Sequence, residues 1–217
     1  MKKLKAETSS YRDHTAKVYY YGNRVFRRVN KKNNLNFKKF FQSKFYKANK
    51  NKIIKSHLLN LKELKILKFS KELMSNKNQW LEHEKLKSII YPYEMCFDQL
   101  KDSALFYLEL YIQALKNNYD MSDATPYNIQ FKYNNPVYID ITSFKKLKKN
   151  SYFMGYKQFC ESYLSPLLIS SYTKINFNDL YKANFNGIDL NLTSKILPFY
   201  TFFNYNLFIN IHLHSYL

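Results

Sequence analysis

Two spacings of apolar residues alternate along this chain, one close to every second position and one close to every third or fourth. Residues 18–21 and 24–29 form two short runs rich in valine and aromatics, separated by Gly22 and Asn23, and they predict two strands closed by a tight hairpin. In the second strand Val25, Arg27 and Val29 share one face while Phe26 and Arg28 share the other, so whichever face is buried carries an arginine. Phe37, Phe41 and Phe45 recur every fourth residue and predict one face of a helix, with lysines from Lys31 to Lys55 on its solvated side. Leu58, Leu61 and Leu64 fall at helical intervals in a run that extends to Glu72. A longer helix is predicted over 97–115, with Leu100, Ala104, Tyr107, Leu108, Tyr111 and Leu115 as its buried stripe. Two strands follow at 129–131 and 137–139, joined by a turn at Asn134, Asn135 and Pro136. The rest reads as helical: 156–169 with Pro166 as a kink, then 177–186 ended by Gly187.

The candidate chemistry sits where the long helix hands over to the second hairpin. Asp123 is followed five residues later by Asn128, with Pro126 in the loop between them, and the strand at 137–139 ends on Asp140. A carboxylate near an attacking hydroxyl, with an amide and a second carboxylate on a magnesium ion, is what phosphoryl transfer asks of a protein, because catalysis there is mostly positioning and charge neutralisation. Singly, each residue has a bland explanation, since Asp and Asn side chains often close their own turns. It is the order helix, loop, hairpin, carboxylate that points to a site.

That order, D-x-x-x-x-N followed by a short hairpin and an apolar strand ending in Asp, resembles the catalytic loop and metal-binding aspartate of the protein-kinase-like fold. It is most similar to the small-molecule kinase branch (aminoglycoside and choline phosphotransferases), in which the last aspartate lacks a following Phe-Gly; here Thr142 and Ser143 stand there. The phrases YPYEM, LKDSALFYLELYIQAL, DATPYNIQF, PVYIDITSF, YKQFCESYLSPLL, GIDLNL and HLHSYL resemble the N-terminal region of a bacterial family labelled SAM-dependent methyltransferase, nodulation-associated members included. The resemblances imply an α+β, protein-kinase-like two-lobed fold: a small antiparallel N-lobe over 1–95, with hairpin, basic helices and hinge, and a mainly helical C-lobe over 96–217. They imply ATP and Mg2+ as cofactors, Asp123 as catalytic base, Asn128 and Asp140 as metal ligands, and Arg27 reaching over the nucleotide phosphates. The phosphoryl acceptor would be a small molecule. Residues 86–92 would form the last N-lobe strands and the hinge, where backbone groups would meet an adenine.

The chain also departs from the kinase pattern. Its glycines are Gly22, Gly155 and Gly187, so no glycine-rich loop covers the phosphates. Met121 and Ser122 replace the His or Gly expected before the catalytic aspartate. No acidic residue occurs between Asn23 and Lys62, which leaves Glu63 and Glu72 as the first partners for a strand cation. No G-x-G occurs either, so a methyltransferase site within this chain is disfavoured; in the family a separate methyltransferase domain follows, and such a domain acting in trans is the implied partner. A non-catalytic module of a methyltransferase system is therefore the second functional reading.

Composition changes this picture little. The net charge of +19 invites a nucleic-acid partner, a third reading, but four of the 35 basic residues are arginine and the abundant Lys, Asn, Ile, Tyr and Phe all have AT-rich codons. Cys96 and Cys160 are too few for a disulfide framework and read as reduced, mostly buried thiols. Met-Lys-Lys is followed by polar residues rather than an apolar signal segment, and no stretch approaches the ~20 apolar residues of a transmembrane span. The expected location is the cytoplasm. His212 and His214 lack the companions and spacing of a metal site.

Overall fold

The computed structural model describes residues 4–7, 16–30, 35–67, 78–149 and 151–216. Among these, the first part of the chain builds a five-stranded antiparallel sheet in the order β1-β2-β3-β5-β4, from β1 (Lys5–Ala6), β2 (Ala16–Tyr21), β3 (Arg24–Asn30), β4 (Ser56–Leu58) and β5 (Asn78–His83). The predicted hairpin is present: Tyr21 pairs with Arg24, and Gly22 adopts φ 60° in the turn, a conformation that glycine takes without a Cβ clash.

Pairing decides which face each side chain occupies. Arg27 lies opposite Val18 on β2 and Leu81 on β5, while His83 lies opposite Val25 and Ser56. Residues directly opposite share a face, so Val25, Arg27, Val29, Leu81, His83 and Ser56 all look to one side. On the other side Tyr19, Phe26 and Trp80 pack with Leu59, Leu64 and Leu67 around α3 (Leu61–Ile66). The Tyr19 and Trp80 rings stand 5.2 Å apart. Asn60 and Glu63 cap α3 reciprocally, which satisfies backbone donors at its start.

The phenylalanine stripe does not lie on one helix. Ser43 is extended, ends α1 (Phe37–Gln42) and caps α2 (Lys44–Ala48), accepting from the Tyr46 amide at 3.1 Å. Of the stripe Phe37 and Phe45 are buried and Phe41 only partly, while Phe40, outside it, is buried. A serine hydroxyl able to bond backbone on both sides competes with helix continuation, and here the competition breaks the four-residue spacing. Leu58 lies in β4 rather than at the head of a helix. Lys31, Lys32 and Glu72 fall outside the described residues.

The segment expected to carry the last strand before the hinge begins earlier, with β5 ending at His83 and no strand over 84–91. Then α4 (Phe97–Lys116) runs for 20 residues, burying Leu100, Ala104, Tyr107, Leu110, Tyr111 and Ala114. Tyr107 stacks with Tyr111, Phe153, Phe159 and Tyr163. Two ribbons follow, β6 (Tyr119–Met121) with β9 (Phe144–Lys146), and β7 (Ile129–Lys132) with β8 (Asn135–Tyr138). The β7–β8 turn places Tyr133 and Asn134 at φ 49° and 63°. Beyond them come α5 (Tyr156–Phe159), α6 (Ser165–Tyr172), α7 (Phe177–Ala183), α8 (Leu190–Ile196) and short helical turns over 199–216.

Pro166 does not end the 156–172 segment; the helix widens over 160–164 instead. A proline has no N–H and its ring crowds the carbonyl four residues back, and a wider turn absorbs both. The helix α7 stops at Ala183, earlier than expected, and Gly187 (φ 110°) serves a close approach, since a Cβ there would lie 2.6 Å from the Glu161 carbonyl oxygen. Cys96, the residue before α4, is exposed, contrary to expectation; Cys160 is buried, and burial pushes its thiol up to about 11. One core cluster joins Val29 and Leu81 of the sheet to α1, α2, α4 and both ribbons. The architecture is thus mixed α and β, an antiparallel sheet with helices, and no described helix is long and apolar enough to cross a membrane.

Candidate functional site

Two strand pairings close a ring that contains every residue of the proposed catalytic loop. Met121 pairs with Phe144 in one ribbon and Ile129 pairs with Tyr138 in the other. Residues 122–128 and 139–143 are therefore the two arcs between the ribbons. Backbone bonds tie both ends: Ser122 N–H donates to the Ser143 carbonyl at 3.1 Å, and Ile139 N–H donates to the Asn128 carbonyl at 2.8 Å. Asp123 and Asn128 sit on one arc and Asp140 on the other, an outcome of register rather than of sequence proximity.

Within the ring Asn128 Nδ2 donates to Asp123 Oδ2 at 3.1 Å. A carboxylate only accepts, so the amide nitrogen is the atom that faces Asp123, and Asn128 Oδ1 is turned away from it. Asp140 Oδ1 accepts from the Thr142 amide at 3.1 Å and its hydroxyl at 2.5 Å, and also from Arg27 Nη1. Asp140 Oδ2 enters none of these bonds. Both ion-pair side chains are 15% exposed, and Arg27 Nη1 also donates to Thr142 Oγ1 at 2.9 Å. The arginine predicted on an early strand therefore reaches the aspartate 113 residues later.

Tyr138, at the end of β8, fastens the ring from inside. The Ser143 hydroxyl donates to the Asp140 carbonyl at 2.9 Å, so the Tyr138 hydroxyl donates in turn to Ser143 Oγ at 2.6 Å. The same phenol lies 3.4 Å from the Asp123 carbonyl. Burial, then the Asp140 charge, raise its pKa well above the ordinary value, with Asp123 adding in the same direction. Both carboxylates thus act on one buried phenol. Behind the first arc, Ala124 N–H donates to Gln158 Oε1 at 2.8 Å, and a Cβ on Gly155 would lie 2.8 Å from the Ala124 Cβ.

Other groups were not singled out by the sequence. His83 lies on the Arg27 face of the sheet with Nδ1 2.6 Å from Ser56 Oγ; burial first, then Arg27, lower its pKa to about 3. Gln130, 2% exposed, grips Ile90 at both backbone atoms, accepting from its N–H at 2.9 Å and donating to its carbonyl at 3.0 Å. Tyr91 N–H donates to Glu94 at 2.8 Å. The backbone groups of the expected hinge at Ile90 and the Tyr91 amide are thus already bonded within the protein. Arg24 pairs with Glu82 through two 2.6 Å bonds, which hold the Glu82 carboxyl below its usual range. Glu63 meets His57 at 3.6 Å and not Arg27. Period-two parity from a known β5 register could have flagged His83; nothing local flags Gln130. His212, buried, lies between Ser194 Oγ at 2.7 Å and Thr201 Oγ1 at 2.9 Å. A groove lined by Lys50, Lys52, Lys55, Glu84 and Lys132 lies beyond the β7–β8 turn and includes none of the ring residues.

Against known proteins, no family model matches the chain. A curated relative, the nodulation protein NoeA of Rhizobium meliloti (strain 1021), is 39% identical over 131 residues, 60% of this chain and 28% of that protein. The resemblance to nodulation-associated proteins is thereby borne out at the level of sequence. A crystal structure of WbdD superposes with a TM-score of 0.45 and 12% identity over 99% of this chain and 50% of that one. A co-crystal of WbdD with a kinase inhibitor gives 0.38 and 12% over 93% and 48%. The chain spans 28% of the length of NoeA and about half that of WbdD.

Proposed function

We propose that this chain is a kinase-like domain, with lobes at 1–95 and 96–217, that binds ATP with Mg2+ and can support phosphoryl transfer to a small-molecule acceptor. The observation that carries the reading is the ring itself: Asp123, Asn128 and Asp140 on two arcs tied together, with Arg27 of the sheet against Asp140. The donor set fits magnesium, a hard cation that prefers oxygen: Asn128 Oδ1 and Asp140 Oδ2 are outside the bonds that hold their side chains in place. Asn128 and Asp140 would hold the ion, which supplies neutralisation of phosphate charge when bound. Asp123, oriented by the Asn128 amide, would accept the proton of the attacking hydroxyl. Arg27 would lie on the phosphates, a role suited to a planar donor that stays charged.

Titration of the purified chain with ATP, followed by calorimetry with and without Mg2+, tests this. We expect binding that requires Mg2+ and that Asp140→Asn weakens at least about tenfold, the loss of one charge-assisted contact of about 1.4 kcal/mol. Nucleotide affinity identical in the variant removes the reading.

A second reading is favoured by one observation. Gln130 occupies both backbone atoms of Ile90, which a hinge would offer to an adenine, and this suits a non-catalytic module of a larger methyltransferase-associated protein. Binding of a methyltransferase domain in trans without any nucleotide affinity is its expected signature.

A further inference from the structure

Two buried polar atoms without partners face the same side of the sheet on neighbouring strands. They are Arg27 Nε, a donor, and His83 Nε2. The tautomer of His83 follows from its neighbour. Ser56 has one hydroxyl hydrogen, directed to the Ile54 carbonyl at 2.9 Å, so Ser56 Oγ accepts from His83 Nδ1, 2.6 Å away. Nδ1 therefore carries the proton and Nε2 is a bare acceptor. His83 is 8% exposed, too buried for water to satisfy that lone pair freely.

His83 pairs with Val25 and Arg27 with Leu81, which makes the imidazole and the guanidinium diagonal neighbours, with backbones about 7 Å apart. An arginine side chain spans that distance. Arg27 Nη1 now sits on Oδ1 of the carboxylate whose Oδ2 the proposed function gives to a divalent cation, and two cations on one carboxylate repel. A guanidinium displaced from Asp140 needs an acceptor within reach in a buried place, and a cationic imidazole would repel it while a neutral one does not.

We propose that His83 is a positioning residue for Arg27: its Nε2 lone pair receives the guanidinium when a cation engages Asp140, and holds it over the ring for phosphate. The inference rests on Asp140 being the cation-holding carboxylate, but the exchange between acceptors is a property of the protein alone. It can be read without nucleotide.

The test is 15N NMR of the full chain labelled at histidine. In wild type, His83 Nε2 gives the signal of an unprotonated nitrogen without a hydrogen bond. In Asp140→Ala, which releases Arg27 with no ligand present, we expect that signal to move upfield as Nε2 accepts, and the movement to vanish in Asp140→Ala combined with Arg27→Met. Asp140→Leu, similar in shape but without an acceptor, serves as the second variant should the alanine not fold. Mg2+-ATP added to wild type should produce the same movement, and His83→Phe should lower Mg2+-ATP affinity about tenfold, one hydrogen bond, with recovery in His83→Gln. An Nε2 signal that stays fixed in the Asp140 variants, or moves equally without Arg27, overturns the proposal even if ATP binds. Failure of wild type to bind Mg2+-ATP, with the Asp140 variant still shifting the signal, overturns the proposed function and leaves the role of His83 standing.

Discussion

At the scale of single residues, the ion pair between Arg27 and Asp140 decides most. Each side chain is 15% exposed, so removing one partner leaves a poorly solvated charge behind. We expect Arg27→Met to cost about 3–5 kcal/mol in denaturant unfolding, and Arg27→Met with Asp140→Asn to recover part of it, because the second change removes the stranded carboxylate. His83 gives a pH signature. Its folded pKa is lowered from 6.5 to about 3, by burial first and Arg27 second, so between these values the unfolded chain binds a proton that the folded one refuses. Stability contributed this way is complete above pH 6.5 and is lost as pH falls toward 3, with a slope of up to about 1.4 kcal/mol per pH unit. Carboxylates titrate in the lower part of that window, so the comparison is best made between pH 5 and 6.5, where unfolding of His83→Gln should depend less on pH than wild type. Equal slopes would mean that His83 is protonated in the native state. The two aspartates and the asparagine were legible as a motif, and Arg27 as a strand arginine on a face to be buried. His83 was not, since its tautomer depends on Ser56, 27 positions away.

At the scale of elements, the strands of the first hairpin, the long helix and the β7–β8 hairpin lie within a residue or two of where periodicity put them. Their signals are local: a glycine turn, a 3.6-residue stripe, and a turn that falls at Tyr133 and Asn134, at positive φ, with the expected turn residues Asn135 and Pro136 already paired in β8. Failures occur where a side chain competes with the backbone pattern, at Ser43 between α1 and α2 and at Pro166 beside the widened turn. Gly155 is an element-scale constraint too, because it lets α5 approach the arc that carries Asp123. Gly155→Ala would press a methyl against the Ala124 Cβ at 2.8 Å and a Phe153 ring atom at 2.9 Å; we expect a loss of about 1–3 kcal/mol, visible as a lower melting temperature. Gln130→Leu would release the Ile90 N–H and carbonyl, and hydrogen exchange at the Ile90 amide should quicken by at least about tenfold, with the loss of about 1.5 kcal/mol of protection. An unchanged exchange rate would mean that another group covers Ile90.

At the scale of the whole molecule, a charge of +19 sits on a chain whose ion pairs among the described residues are few and mostly exposed. Self-repulsion of that size is screened by salt, so the melting temperature should rise as NaCl increases from low concentration to 0.15 M. A fall would mean that pairs such as Arg24 with Glu82 outweigh the repulsion. By itself the sequence determined the elements, their turns, and the set of chemically capable residues between 121 and 144, because these depend on neighbours a few positions apart. Tertiary structure decided which partners those residues take: Asn128 bonds Asp123, and Arg27 bonds Asp140. Two strand registers gather Asp123, Asn128 and Asp140 into one ring, sheet parity turns Arg27 and His83 to the same side, and burial keeps the imidazole neutral beside the ion pair. Contacts across more than a hundred positions, like that of Arg27 with Asp140, leave no periodic trace in a chain, since only packing brings the partners together.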